Sequence, residues 1–360
     1  MTRTGDFGSG WRMKILINSF RGDPDALPML DDVPLPSVEA ARPTALIRRC
    51  PKAAVTPLLS APGLATYCSV GEVLVKDERG RMGLGSFKAL GAAYVIAHDA
   101  TQGDVSDVTY VTASAGNHGM SVAAGAKAFG ARAVIYIAET VPESFAERLR
   151  EQGAQVVREG QTYEASMAAA LDAAEINGWQ LLSDSSWPGY FERPHRLMEG
   201  YLVLMAETAD QIASPPSHIF LQAGVGGLAG AVAAMARHLW GDAPRIVVVE
   251  PDAAPALAAS IAAGKPVQAE GPVSVMGRLD CKEPSLIALR GLARDADVFA
   301  TITEAEGIAG ADLAQEHGLP TTPSGAAGLA GLMTSGPYRA ALGLEDTSTV
   351  LVILSEEAEP

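Results

Sequence analysis

A lysine that follows a glycine-rich turn is the first candidate for chemistry. Lys88 lies in the segment 75–94 (VKDERGRMGLGSFKALGAAY), after Gly83 and Gly85, where the pattern predicts the start of a helix with Ser86 as its N-cap residue. A primary amine on a rigid element beside a glycine-lined turn suits imine formation followed by proton transfer. Taken alone, Ser-Phe-Lys equally fits an exposed lysine on a helix face, so the neighbouring motifs decide between the two.

A second candidate is the segment 112–130 (TASAGNHGMSVAAGAKAFG), in which a strand end leads through small polar residues into an amphipathic helix. Backbone N–H groups at a helix N-terminus, with the hydroxyls of Thr112 and Ser114, can bind a carboxylate without any arginine. Asn117 offers an amide, although an Asn-His pair after glycine also fits a helix cap. His118 is interpreted as a structural residue rather than a base.

A third candidate is the segment 221–236 (LQAGVGGLAGAVAAMA), where an apolar strand opens into Gly224, Val225, Gly226 and Gly227 before a helix. Glycine lets a backbone approach an anion closely, and the helix dipole favours its negative charge, so we expect a phosphate here. The segment lacks the Lys-Ser/Thr of a P-loop and the spacing of a dinucleotide fingerprint.

The elements that must position these residues alternate between apolar runs of strand length and Ala-rich runs with helical spacing. This alternation indicates βαβ units around parallel sheets, and hence an α/β fold. We predict strands at 73–76, 110–113, 133–137, 155–157, 218–222, 245–250 and 350–354. We predict helices at 87–99, 117–129, 144–152, 163–177, 227–239 and 253–263.

The chain of 360 residues is long enough for two domains. We predict a large cofactor-binding domain from residues 1–95 and 185–360, and a smaller inserted domain from residues 96–184.

Composition excludes several classes of function. The net charge is −15 and no run of Lys and Arg is long enough to form a phosphate-binding stripe, so nucleic acid is not an expected partner. No stretch resembles a signal peptide or a membrane span, and the three cysteines, an odd number spread widely, indicate neither a disulfide framework nor a zinc site. We expect a cytoplasmic protein without a metal.

Together the three motifs resemble those of fold type II (β-family) pyridoxal-phosphate enzymes, whose fold is tryptophan synthase β-like, with parallel sheets and a smaller inserted domain. The resemblance covers residues 50–357 and is greatest to the diaminopropionate ammonia-lyase branch. It rests on KDERGRMGLGSFKALGAAY, AGNHG, AGVGGLAG, LLSDSSWPGY, RLDCKEPS and TTPSGAAGL.

The resemblance implies a role for each motif. Lys88 would carry pyridoxal 5′-phosphate as a Schiff base and remove the α-proton, and Asn117 would contact the cofactor O3′. A serine would face the pyridine nitrogen, and Ser324 is preferred over Ser355. The phosphate site would be Gly224, Val225, Gly226 and Gly227. The substrate carboxylate site would be Thr112, Ser114, Ala115, Gly116, Asn117 and His118.

Two positions that are acidic in the branch differ in what this chain keeps. The branch reads Asp-Gly-Asn-His-Gly where this chain has Ala115 before Gly116, so we expect a bias to the L-isomer or a different substrate. Asp184 in LLSDSSWPGY retains the branch's other acidic residue, and would bind a β-ammonium group or assist proton transfer. Without the resemblance, Asp184 equally fits a loop cap.

The predicted activity is elimination of ammonia from L-2,3-diaminopropionate, giving pyruvate and ammonia. The alternatives are a dehydratase of serine, threonine or another hydroxy amino acid, a β-replacement enzyme, and a catalytically silent cofactor carrier. Related enzymes commonly form dimers, so a homodimer is expected.

Overall fold

The structure is a computed structural model that describes residues 12–23 and 27–359. The chain divides into two compact units. The first contains the described residues up to 38, residues 55–80 and those from 204 onwards, and the second contains residues 39–54 and 81–203.

Strands and helices alternate along most of the chain. The strands are β1 (Lys14–Ile17), β2 (Leu58–Ser60), β3 (Glu72–Asp77), β4 (Thr109–Ala113), β5 (Arg132–Ile137), β6 (Gln155–Arg158), β7 (Gln180–Leu181), β8 (His218–Gln222), β9 (Arg245–Pro251), β10 (Val298–Ile302) and β11 (Thr349–Leu354). The helices are α1 (Ala41–Ile47), α2 (Pro62–Cys68), α3 (Lys88–Ala100), α4 (Asn117–Ala128), α5 (Glu143–Glu151), α6 (Tyr163–Asn177), α7 (Glu192–Gln211), α8 (Gly227–Trp240), α9 (Ala256–Ala263), α10 (Leu286–Asp295), α11 (Glu304–Glu316), α12 (Ala327–Met333) and α13 (Arg339–Leu342).

The first unit is built on a seven-stranded sheet in the order β1-β10-β9-β8-β11-β3-β2. The inner strands pair in parallel, and each edge strand pairs antiparallel with its neighbour. Strands of a parallel sheet are covered on both faces and therefore read as continuous apolar runs. The buried run in β9, from Ile246 to Val249, shows this pattern.

Small residues let one helix of the first unit lie directly on this sheet. A Cβ atom added at Gly328 of α12 would come within 2.8 Å of the carbonyl oxygen of Phe220, and one at Gly331 within 2.7 Å of the Val249 side chain. Helix and sheet backbones therefore approach more closely than larger residues would allow. This packing fixes β8, the strand that leads into the glycine-rich loop.

The second unit is built on a four-stranded parallel sheet in the order β6-β5-β4-β7. Val111, Val134 and Ala170 are buried in the core between this sheet and α6. Helices α3 and α4 pack closely, since a Cβ atom at Gly125 would lie 2.9 Å from the Ile96 side chain. The two helices that begin at Lys88 and Asn117 are thus held by one packed structure.

The prediction of an α/β fold with mainly parallel sheets is confirmed, and each predicted strand and helix occurs. The segment 253–255 is wrongly placed in a helix, because α9 begins only after Pro255. The prediction also omitted β10 and the twenty-residue helix α7. The predicted small domain, 96–184, lies within the second unit; its role and that of the large domain stay predictions.

Within the described residues, no helix has both the length and the apolar character required to cross a membrane.

Candidate active site

Lys88 is the first residue of α3, and a turn with unusual backbone angles leads into it. Met82, Gly83 and Gly85 all have positive φ (53°, 69° and 72°), a conformation that favours glycine. Ser86 is not the N-cap residue, because Phe87 precedes the helix. The Ser86 hydroxyl instead accepts a hydrogen bond from the amide of Lys88 at 3.3 Å.

The amine of Lys88 forms an ion pair with Asp184 inside the second unit. Its Nζ atom donates to a carboxylate oxygen at 2.5 Å, and the two side chains are 20% and 18% exposed. The same Nζ atom lies 5.3 Å from the centre of the Phe87 ring and 5.9 Å from that of Tyr201, within range of cation–π attraction. One carboxylate and two aromatic faces therefore surround a primary ammonium.

The loop that carries Asp184 is held by its own tyrosine. The Tyr190 hydroxyl donates to the carbonyl of Leu181 at 2.9 Å and accepts from the amide of Ser183 at 3.1 Å. Trp187 stacks on Tyr190 with ring centres 4.4 Å apart. The aromatic residues of SDSSWPGY thus fix the chain on both sides of the carboxylate.

The charges of the site determine its protonation. Burial alone would raise the pKa of Asp184, but the adjacent Lys88 ammonium outweighs it and holds that pKa well below its usual range. Asp184 is therefore a carboxylate at neutral pH. Burial lowers the pKa of His118, whose Nε2 lies 2.7 Å from the carbonyl of Leu182. A neutral His118 bound to a carbonyl fits its predicted structural role.

The turn before α4 brings small polar groups together. The hydroxyl oxygen of Ser114 accepts a hydrogen bond from the amide of Gly116 at 3.3 Å, and the carbonyl of Asn117 accepts one from Ser121 at 2.6 Å. A Cβ atom at Gly119 would lie only 2.1 Å from the Ser114 carbonyl oxygen, so glycine is required for this tight turn. The buried hydroxyl of Thr112, at the end of β4, has no hydrogen-bond partner within the described part of the chain.

The glycine-rich loop lies in the first unit, between β8 and α8. Gly226 has φ +98°, and a Cβ atom there would lie 2.9 Å from the Ala288 side chain and 3.0 Å from that of Leu257. A Cβ atom at Gly224 would lie 3.0 Å from the Sγ atom of Cys281. The backbone is therefore packed from one side, while the first amides of α8 have no intrahelical acceptor. Such a turn can bind an anion through N–H groups.

Two further motifs support the first unit's loop. The amide of Ser285, in KEPS, donates to the carbonyl of Val225 at 2.9 Å. In TTPSGAAGL, the hydroxyl of Ser324 accepts from the amide of Arg278 at 3.1 Å, and the amide of Ser355 donates to the carbonyl of Gly325 at 3.4 Å. Both candidate serines are thus buried on adjacent segments, and the choice between them stays a prediction.

Comparison with known proteins agrees with this set of features. Residues 51–356 match the family described as pyridoxal-phosphate dependent enzyme. The chain belongs to this family. It is 35% identical to a diaminopropionate ammonia-lyase of Salmonella typhimurium over 269 residues, 67% of each chain. It is 30% identical to that of Escherichia coli over 334 residues, 84% of each.

A solved structure of the Escherichia coli diaminopropionate ammonia-lyase, in complex with an aminoacrylate–pyridoxal-phosphate reaction intermediate, superposes with a TM-score of 0.87 at 27% identity. The match covers 96% of this chain and 94% of that one. The predicted fold type II architecture is confirmed, and the cofactor of this family member is pyridoxal 5′-phosphate.

The residues of the chain fit that cofactor. Lys88 supplies a primary amine on a fixed turn, and the first amides of α8, which follow Gly226, have no intrahelical acceptor and no side-chain cap. The unpaired buried hydroxyl of Thr112 requires a partner, because leaving it unsatisfied costs about 1–3 kcal/mol. Lys76, the lysine of the KDE motif, is fully buried and engaged by Glu207 at 2.9 Å, so Lys88 is the better candidate for cofactor attachment.

Sequence reasoning missed Tyr201, which lies next to the Lys88–Asp184 pair. Its aromatic ring contacts that of Phe87 edge-on, with ring centres 4.9 Å apart. Nothing in the sequence near Tyr201 distinguishes it from a core aromatic residue of an amphipathic helix. Only the packing of α7 against α3 brings it to the amine.

Proposed function

We propose that this enzyme converts L-2,3-diaminopropionate and water to pyruvate and two molecules of ammonia. The observation that carries the proposal is the Lys88–Asp184 pair, an amine and a carboxylate in contact at 2.5 Å. The similarity to diaminopropionate ammonia-lyases over most of the chain supports the same substrate.

Each residue contributes a separate part of the reaction. When bound, pyridoxal phosphate supplies the electron sink that makes the α-proton of a linked amino acid acidic. Lys88 would hold the cofactor and, as a free amine, take up the α-proton at Nζ. Asp184 stabilises the ammonium that results, because its carboxylate contacts the same nitrogen.

Other residues would bind and orient the reactants. Gly224, Val225, Gly226 and Gly227 would bind the cofactor phosphate through their amides. Thr112, Ser114 and the amides from Ala115 to His118 would bind the substrate carboxylate, and Asn117 would contact the cofactor O3′. Ser324, or alternatively Ser355, would face the pyridine nitrogen.

We further propose that the enzyme favours the L-isomer, since Ala115 provides no acid or base. Its three free cysteines favour a cytoplasmic location. We also propose a homodimer, the state that related enzymes commonly form. A dehydratase of serine or threonine is the second candidate, favoured by the Ser-Ala-Gly-Asn-His-Gly motif at residues 114–119.

A substrate panel tests these assignments. Purified holoenzyme is mixed with L- and D-2,3-diaminopropionate, L-serine and L-threonine, and 2-oxo acid release is followed by reduction with lactate dehydrogenase. Pyruvate from L-diaminopropionate, with little product from the hydroxy amino acids, is expected. Product from serine or threonine alone would select the dehydratase, and no product from any β-substituted amino acid would contradict both.

A further inference from the structure

The contact between Lys88 and Asp184 shows that this place accommodates a primary alkylammonium. The ammonium has three N–H donors, and Asp184 accepts one of them at 2.5 Å. The rings of Phe87 and Tyr201 lie 5.3 and 5.9 Å away and offer their negative faces to the charge. Charge, hydrogen bonding and shape all match a –CH₂–NH₃⁺ group.

Tyr201 adds a hydroxyl oxygen that can accept a hydrogen bond from an ammonium group. Its side chain is buried, with 1% exposed, and no described residue other than Lys88 offers its hydroxyl a hydrogen-bond partner. Burial raises the pKa of Tyr201, whereas the Lys88 amine lowers it through its charge and a side-chain hydrogen bond. A buried hydroxyl is costly unless it is hydrogen-bonded, so this phenol needs an ammonium at the position of the Lys88 amine.

The packing of two helices prevents Tyr201 from moving away. A Cβ atom at Gly91 of α3 would lie 2.8 Å from both the Leu197 side chain and the Tyr201 ring. A Cβ atom at Gly200 of α7 would lie 2.5 Å from the carbonyl oxygen of Leu90. The two glycines allow α3 and α7 to approach closely, and this approach fixes the phenol beside the amine that begins α3.

We propose that Asp184 and Tyr201 form the subsite that receives the β-ammonium group of a diamino acid, and that Tyr201 makes the enzyme selective for a cationic leaving group. This inference rests on the proposed function. A lysine that acts as a base must be a neutral amine, so Asp184 then lacks its counter-charge. The β-ammonium, a primary alkylammonium like that of Lys88, supplies the missing charge and a donor for Tyr201.

The same subsite discriminates against neutral substituents. A hydroxyl or a chloride at the β-carbon carries no positive charge, so it gains neither the attraction of the carboxylate nor that of the aromatic faces. Hydrogen bonds to charged groups are roughly twice as strong as those between neutral groups. Loss of the phenol should therefore affect a β-ammonium substrate selectively.

The kinetic experiment compares two substrates in three proteins. Tyr201→Phe, which keeps the ring and the packing, is expected to lower kcat/KM for L-2,3-diaminopropionate about tenfold, while that for β-chloro-L-alanine stays unchanged. Tyr110→Phe is the control, because its hydroxyl already donates to Asp99 at 3.0 Å, and it should change neither value. If Tyr201→Phe changed kcat/KM equally for both substrates, or for neither, the proposed subsite would be contradicted.

A second measurement needs no turnover. In full-length Lys88→Ala protein without cofactor, ethylammonium should bind at the position of the lost amine, and NMR titration gives its dissociation constant. Adding Tyr201→Phe or Asp184→Asn should weaken this binding severalfold, and unchanged binding would overturn the inference. If the wild-type holoenzyme releases no pyruvate from diaminopropionate, the proposed function fails, but this titration still decides whether the ammonium site exists.

Discussion

The two turns that we propose bind the cofactor would act through different parts of the chain. At the start of α3, the chemistry lies in side chains, since Lys88 and Asp184 meet as an ion pair. At the start of α8, it lies in the backbone, since Gly226 offers no side chain and has a left-handed conformation. Substitutions at the first turn should therefore remove function while the fold persists, whereas substitutions at the second should cost both stability and cofactor affinity.

The largest effect should come from Lys88→Ala at the first turn. We expect elimination to fall at least about 10³-fold, because general acid–base catalysis by a positioned group contributes about 10²–10⁴-fold and the covalent attachment of the cofactor is lost as well. Borohydride reduction followed by peptide mass spectrometry should give a pyridoxyl adduct on Lys88 in the wild type and none in the variant. Lys127→Ala, at an exposed lysine of the same unit, is the matched control and should behave like the wild type. Full activity of Lys88→Ala would reject the assignment.

The next largest effect should come from Asp184→Asn. Removing the counter-charge of Lys88 should lower kcat for diaminopropionate about 10²-fold, while the dissociation constant of the cofactor changes little. Steady-state kinetics and cofactor titration by absorbance separate the two quantities. Unchanged kcat would reduce Asp184 to the cap of its loop.

A smaller effect, on both stability and cofactor binding, is expected from Gly226→Ala at the second turn. A left-handed residue with a Cβ atom costs roughly 1–2 kcal/mol, and the added atom would also press on Ala288 and Leu257. Chemical denaturation should show lower stability, and titration should show weaker cofactor binding. Gly343→Ala is the control: it has φ +65° with nothing within 4 Å of its Cβ position, so stability alone should fall. Equal cofactor affinity in both variants would contradict a backbone-built phosphate site.

Two buried carboxyl groups extend the comparison to electrostatics. Asp184 faces an ammonium, and its pKa is lowered. Glu250, at the end of β9, accepts from the amides of Leu257 and Ala258, both at 2.8 Å, and burial raises its pKa to about 8. Leu257 also packs at Gly226, so Glu250 caps the helix that supports the glycine loop.

The smallest effect should be a pH dependence of stability that comes from Glu250. The folded state binds the proton of this carboxyl up to about pH 8, and the unfolded state releases it near pH 4.5. Stability should therefore decrease as pH rises through this window, by at most about 1.4 kcal/mol per pH unit. Glu250→Gln should flatten the decrease when unfolding by urea is measured from pH 5 to pH 8. An identical slope in the variant would show that other groups cause it.

Local signals allowed much of the fold to be predicted. Helix α6 was predicted with its observed bounds because Thr162 caps its start, accepting from the amide of Ala165, and Gly178 ends it in a left-handed conformation. The parallel strands were found because burial on both faces makes them continuous apolar runs. Helix α7 was omitted because its sequence begins with Glu, Arg, Pro and His, and its apolar face becomes clear only against α3.

The candidate site could be predicted only in part. Lys88, Asn117 and the glycines of 224–227 stand at strand-to-helix turns that the sequence marks with glycine and small polar residues. No comparable sequence signal surrounds Tyr201, since a tyrosine in an amphipathic helix is normally interpreted as a core residue. The ion-pair partner of Lys88 is 96 residues away along the chain, a distance over which local patterns carry no information.

The sequence by itself determined the class of protein. It shows alternating strands and helices, two turns suited to binding an anion, and a third turn that carries a lysine suited to a carbonyl cofactor. Composition and periodicity encode these features because each depends on residues close together in the chain. The tertiary structure alone decided which groups meet, placing Asp184 against Lys88 and the buried phenol of Tyr201 beside them. The position of Tyr201 depends on Gly91 and Gly200, whose missing side chains let two distant helices come together.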